Sequence, residues 1–236
     1  MTKILALDTS GTACSVALWT SAGVLIGHEE QAERQHTQRL LPMVKDLLAE
    51  AGINMNDLDA IAYGRGPGSF TGIRIAAGVA QGLAFGIDCP VIPVSTLAAL
   101  ALRGHAQTSP PASLPHSYAC SLDARMGEVY WGEYTIDLAD PELAIAVVAE
   151  RVCDPALVQV QGAEYSACGS GMAVDNMPVH VASNSLQVWP ELEPRAQEMA
   201  QLAGAYFALG RYSAPEDALP VYLRDEVTWK KLPRYQ

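Results

Sequence analysis

Two aspartates, each closing a short apolar run, are the first residues in this sequence that could do chemistry. Asp8 ends Ile4-Leu5-Ala6-Leu7 and leads into Thr9-Ser10-Gly11-Thr12. Asp123 ends Cys120-Ser121-Leu122 and leads into Ala124-Arg125-Met126-Gly127. A tight turn after a strand aims successive backbone N–H groups into one concavity that suits an anion, and a neighbouring carboxylate suits a metal-bound phosphate. Thr9, Ser10, Gly11 and Thr12 furnish such a turn well; Met126 is a poor neighbour for a phosphate. From the residues alone, Asp8, Thr9, Ser10 and Asp123 read either as a weak anion site or as two aspartates that cap tight turns.

Other chemistry is thin. The five histidines (His28, His36, His105, His116 and His180) show no H-x-x-H, H-x-x-x-H or H-E-x-x-H spacing, so no metal site is expected. The five cysteines are scattered without a C-x-x-C pair, which argues against a zinc knuckle or a disulfide scaffold. Neither a G-x-S-x-G elbow nor a G-x-x-x-x-G-K-[ST] loop occurs. Gly66-Pro67-Gly68-Ser69-Phe70 precedes a helical pattern, and a helix N-terminus attracts anions, although turn geometry alone accounts for Gly-Pro-Gly. Cys168-Gly169-Ser170-Gly171 reads as a ligand loop or as a strand-to-helix turn.

One feature asks for contact rather than catalysis. Gly78, Gly82 and Gly86 fall on one face of a helix expected from about Gly72 to Phe85. Each glycine costs roughly 1 kcal/mol against alanine in a helix interior, so something must offset the stripe. Close approach of another backbone would do so, either this chain's own sheet or a helix of a second chain. The sharper expectation is a chain–chain interface that also uses the helix carrying Leu40, Val44 and Leu47.

The elements that position these residues follow from periodicity. Strands are expected at Lys3–Leu7, Cys14–Trp19, Val24–His28, Leu58–Tyr63 and Pro90–Val94. Helices are expected at His36–Gly52, with Pro42 tolerable only in a first turn, at Gly72–Phe85, and from Ser95 or Thr96 to near Gly104. The order βββαβαβα gives a mixed sheet with helices packed on it. The proline-rich stretch 105–116 is the expected linker between an N-terminal lobe, 1–104, and a C-terminal lobe, 117–220, with a tail at 221–236. After that linker the strand–Leu-Asp–turn–strand layout restarts, which suggests an internal duplication. The tail holds Arg224, Lys230, Lys231 and Arg234 against Asp225 and Glu226, with Tyr222, Trp229 and Tyr235. It either touches RNA or an acidic partner, or folds back on its own body.

Of the 236 residues, 50% are hydrophobic and 17% charged, which suits a chain with a sizeable core. A net charge of −11 argues against a general phosphate-backbone binder, so tRNA contact is expected to be indirect at most. The N-terminus turns polar too early for a signal peptide and no apolar run reaches a membrane helix's length. A cytoplasmic protein with no membrane partner is therefore expected.

Two lobes that each open with strand–Asp–turn–strand resemble the actin, hexokinase and sugar-kinase superfamily, an α/β fold with mixed sheets and packed helices in each lobe; the resemblance implies a weak, degenerate ATP or ADP site at Asp8, Thr9, Ser10 and Asp123. Gly64-Arg65-Gly66-Pro67-Gly68-Ser69-Phe70-Thr71-Gly72-Ile73-Arg74 resembles the G-x-G-P-G-S-[FY]-T-G-[IL]-R signature of the TsaB family. The opening Ile4-Leu5-Ala6-Leu7-Asp8-Thr9-Ser10, Asp123-Ala124-Arg125 before Glu128-Val129-Tyr130, and Pro220-Val221-Tyr222-Leu223-Arg224 are similar to it too. The resemblance implies a part in making threonylcarbamoyladenosine beside the tRNA anticodon. It implies TsaD as partner, TsaE as third component, and a homodimer when alone. TsaD, the catalytic paralogue, carries a metal-binding H-x-x-x-H where this sequence has Thr96 and Leu100. The implied role is a scaffold with no catalytic residue, no metal and no required cofactor. The competing readings are an autonomous nucleotide-using ATPase or small-molecule kinase of the same fold and, with less support, a peptidase.

Overall fold

The computed structural model describes residues 1–32, 34–108, 116–137, 139–161 and 164–224. A meander opens the chain: β1 (Lys3–Asp8), β2 (Ala13–Thr20) and β3 (Leu25–Gln31) pair antiparallel. Then α1 (His36–Ala51) crosses over to β4 (Ala60–Gly66), parallel to β1, and α2 (Phe70–Ile87) crosses over to β5 (Val91–Ser95), parallel to β4. The strand order is β3-β2-β1-β4-β5. Next, α3 (Thr96–Gln107) leads to the second half: β6 (Ser117–Arg125), β7 (Glu128–Ile136), β8 (Ala144–Cys153), β9 (Tyr165–Cys168), α4 (Val179–Ser183), β10 (Val188–Trp189) and α5 (Ala196–Ala208). Its order, β10-β9-β6-β7-β8, repeats the first sheet strand for strand, with β6–β7–β8 antiparallel and β9 and β10 added in parallel. The Leu-Asp restart is therefore a true repeat, and the fold is two-lobed α/β. The second copy is the leaner one. Short 3-10 turns (Pro155–Leu157, Ser170–Ala173) and the five-residue α4 stand where the first has two long helices.

The two halves exchange their last helices. α3 packs on β6, β7, β8 and β9 of the second sheet, and α5 packs on β1, β2, β4 and β5 of the first. One continuous core therefore lies between the sheets, built from Ile4, Ala6, Ile92, Val94, Leu97, Leu100, Tyr118, Cys120, Met199 and Leu202 among others. A boundary drawn at 104 and 117 splits the sheets but not the packing. The expected linker also begins late: α3 runs to Gln107, and His116 is buried with its Nε2 2.9 Å from Ser166 Oγ. Residues 109–115 lie outside the described residues.

Local chemistry explains most element ends. Ser69 and Ser95 accept N–H bonds from Gly72 and Ala98 at the starts of α2 and α3, and Gly52 closes α1 at φ 65°. Pro42 is the exception. It sits seven residues into α1, not in its first turn, and it is exposed, so water can serve the carbonyl that its missing N–H leaves unbonded. The 18-residue α2 is long and apolar enough by composition to cross a membrane, against the expectation from sequence. Its Ile73, Ala76, Ala77, Ala80 and Ala84 are buried against the sheet.

Candidate functional site

Asp8 leaves β1 fully buried, and its carboxylate is used up locally. Oδ1 accepts from Ser10 N at 3.3 Å and Oδ2 accepts from Ser10 Oγ at 3.0 Å. Burial outweighs these bonds and pushes the Asp8 carboxyl up to about 7. Thr9 Oγ1 donates to Gly72 O at 2.7 Å, and Ser69 N donates to Ser10 O at 2.8 Å.

That packing explains the first half of the glycine-rich stretch. A Cβ on Gly64 would strike Asp8 Oδ1, one on Gly68 would lie 2.7 Å from Ser10 O, and one on Gly72 would strike Thr9 O. The loop between β4 and α2 thus lies flush on the Asp8–Ser10 turn. The outer donors of the same turn are held by Glu193, just ahead of α5. Its carboxylate accepts from Thr12 Oγ1 at 3.0 Å and from Thr12 N at 3.4 Å, while its carbonyl accepts from the Arg103 guanidinium at 2.6 Å. An internal carboxylate stands where the turn would offer donors to a ligand anion.

The second turn is chemically unlike the first. Asp123 caps it through Arg125 N at 2.7 Å and the Arg125 guanidinium at 3.1 Å, and its own N–H donates to Ser170 Oγ at 3.2 Å. Arg125, Met126 and Gly127 all have positive φ, and Met126 is exposed. Arg224 lies across this turn, donating to Ala124 O at 3.2 Å and pairing with Glu128. So Asp8 and Asp123 occupy equivalent places in the repeat, yet each carboxylate is bonded within its own turn. Gly169 and Gly171 let the Cys168–Gly171 segment press on Ser121, and the segment is a strand-to-helix turn.

Residues 219–224 tie the lobes together, which the sequence did not show. Val221 N donates to Arg65 O at 2.8 Å, Tyr63 OH donates to Leu219 O at 3.2 Å, and Arg74 Nε donates to Tyr222 OH at 2.7 Å with its guanidinium 3.5 Å above the Phe70 ring. Arg65 also pairs with Glu150 of β8 at 3.0 Å, and Glu150 accepts from Tyr134 OH at 2.7 Å. The described part of the tail folds back on the chain; residues 225–236, with Trp229 and Tyr235, lie outside the described residues.

The expected interface residues separate. Gly78, Gly82 and Gly86 are exposed, and a Cβ at any of them would meet nothing within 4 Å. This chain's own sheet is therefore not what the stripe accommodates. Leu40, Val44 and Leu47 behave in the opposite way. They are buried at 0%, 1% and 0% exposure beneath α1, in the core shared with Leu5, Leu7, Ile61 and Ala80, so they cannot reach a second chain. The period that marks them is the helix's inward face; Leu41, half exposed, is on the outward one.

Comparison with known proteins bears on what this arrangement serves. A family model described as TsaD, tRNA N6-adenosine threonylcarbamoyltransferase, matches residues 28–208. The tRNA threonylcarbamoyladenosine biosynthesis protein TsaB of Escherichia coli (strain K12) is 41% identical over 98% of this chain and 98% of its own. The protein of the same name from Haemophilus influenzae is 39% identical over 98% and 97%. The chain belongs to the TsaB family. A solved relative, YeaZ from Pseudomonas aeruginosa, is 44% identical and superposes with a TM-score of 0.85 over 94% of this chain and all of that one. Membership gives the chain a role in tRNA threonylcarbamoyladenosine biosynthesis.

At the positions where the resemblance places the paralogue's histidines, Thr96 Oγ1 donates to Pro67 O at 2.5 Å and Leu100 is fully buried. Neither suits a metal: the hydroxyl is engaged, and leucine has no donor atom. Among the described residues, no group of three His, Cys, Asp or Glu side chains is placed to hold one.

Proposed function

We propose that this chain is the non-catalytic subunit that binds and activates a TsaD-type transferase in threonylcarbamoyladenosine modification of tRNA, with TsaE as third component and a homodimer as its state alone. The open glycine face of α2 carries the reading. Gly78 and Gly82, in the exposed interior of α2, each cost roughly 1 kcal/mol, and no contact among the described residues offsets them. A second helix lying close along Gly78, Gly82 and Gly86 supplies that contact, and a fold-sharing paralogue or a second copy presents a like helix in a two-fold arrangement. The chemistry of the turns agrees. Glu193 and Ser10 satisfy the groups that ATP or ADP would need, so nucleotide is weakly held there at most and no cofactor is required. A cytoplasmic location and indirect tRNA contact follow from the same reading.

The test is reconstitution. TsaD and TsaE are assayed for modification of tRNA with and without this chain, and pairing is followed by sedimentation. Modification that proceeds equally without the chain would end the proposal.

A further inference from the structure

A second concavity lies away from both turns. It is a pocket of about 360 Å³ between the edge strand β5 and the end of α5, lined by Arg65, Pro93, Ser95, Tyr206, Arg211, Tyr212 and Ser213. Its far wall is held by backbone hydrogen bonds. After α5, Gly210 takes φ 69°, its N–H bonds Phe207 O at 3.0 Å, and the Arg211 N–H bonds Tyr206 O at 2.8 Å, which is a Schellman closure. Ser213 then joins Val91 by two backbone bonds, fixing the segment to the edge of the first sheet. The Arg211 guanidinium stands 5.8 Å from the Tyr206 ring centroid, and among the described residues no carboxylate pairs with it. Ser95, the N-cap of α3, brings the positive end of a 12-residue helix to the opposite wall.

We propose that this pocket binds one free nucleoside monophosphate, its phosphate on Arg211 with Ser95, Ser213 and Arg65, the last already paired with Glu150, beside it, and its base against Tyr206 and Tyr212. A guanidinium fork suits phosphate oxygens, and a tyrosine face accepts any base. The volume fits a mononucleotide. The chain's charge of −11 disfavours a polyanionic RNA strand and leaves a single small anion tolerable at Arg211, the lining guanidinium that no carboxylate among the described residues pairs with. The site shares no residue with the Asp8 and Asp123 turns and does not depend on pairing with another chain.

The experiment is calorimetric titration of the full chain with AMP, with inorganic phosphate and with a single-stranded hexaribonucleotide, using wild type, Arg211→Ala and Tyr212→Ala. Both variants keep the backbone closure, and their melting temperatures are checked against wild type. Saturable AMP binding is expected, weaker by about ten- to a hundred-fold in Arg211→Ala and by about five- to a hundred-fold in Tyr212→Ala. Phosphate alone should bind more weakly than AMP. No saturable AMP binding, unchanged affinity in either folded variant, phosphate as tight as AMP, or hexaribonucleotide bound in preference to AMP would overturn the assignment.

Discussion

Replacing Gly82 separates a helix that faces a partner from one that faces its own core. The position is exposed, and a Cβ there meets nothing within 4 Å. In the isolated chain, alanine should therefore only remove the glycine penalty and add about 1 kcal/mol of stability. For a protein of this size that raises the melting temperature by about 2–4 °C. Leucine, almost as good a helix former, should do nearly the same. Across a close helix pair the effect reverses, because a protruding side chain in a packed seam costs about 1–3 kcal/mol. That weakens association about five- to 150-fold. Thermal melts are run below the dimer's dissociation range, since pairing itself raises an apparent melting temperature. Sedimentation follows Gly82→Leu alone and mixed with TsaD. A folded Gly82→Leu variant that pairs as tightly as wild type would refute the reasoning, as would one melting several degrees lower in dilute solution.

Further outcomes follow from the buried turns. The Asp8 carboxyl holds its proton up to about pH 7 in the fold, but only to the ordinary carboxylate range when unfolded. Stability should thus fall as pH rises from about 4 to 7, by on the order of 4 kcal/mol. Asp8→Asn should remove that slope in urea titrations at stepped pH, and an unchanged slope would exclude Asp8 as its source. Burial depresses His105 and His116, so these two tilt stability the other way below about pH 6.5. The difference between variant and wild type isolates Asp8. Glu193→Gln removes a charge that raises the Asp8 pKa, so the Asp8 titration followed by carbonyl NMR should move down. Gly72→Ala drives its methyl into the backbone oxygen of Thr9, which no rotamer can move aside, and should cost roughly 3 kcal/mol or more; Gly52→Ala, with open space around it, should cost less despite its φ of 65°.

Elements were legible wherever one residue's neighbours decide its place. The apolar runs of β1 and β2, the serine before α3 and the glycine after α1 are local signals, and they fall where the sequence puts them, whereas Ser69 starts α2 two residues earlier than expected. Pro42 misled because the rule against it assumes a carbonyl with nothing else to bond, whereas Gln38 and Pro42 are exposed and water can serve it. The exchange of α3 and α5 between sheets left no local mark, since both helices need only an apolar face, whichever sheet it meets. The same blindness placed Leu40, Val44 and Leu47 at an interface: periodicity finds a buried face but cannot say what buries it. Glu193 was invisible because a carboxylate 181 residues from Thr12 carries no spacing signal. The glycines divide for a physical reason as well. Gly64, Gly68 and Gly72 clear the backbone and side-chain atoms of the Asp8–Ser10 turn, and Gly78, Gly82 and Gly86 clear a surface that none of the described residues occupies.

The most direct measurement of the central claim is threonylcarbamoyladenosine formed on tRNA by TsaD and TsaE, with this chain omitted, added, or added as Gly82→Leu. The account predicts little product without the chain, full product with it, and product restored only at a raised concentration of Gly82→Leu. Full product in its absence, or full support from Gly82→Leu at the wild-type concentration, would contradict it.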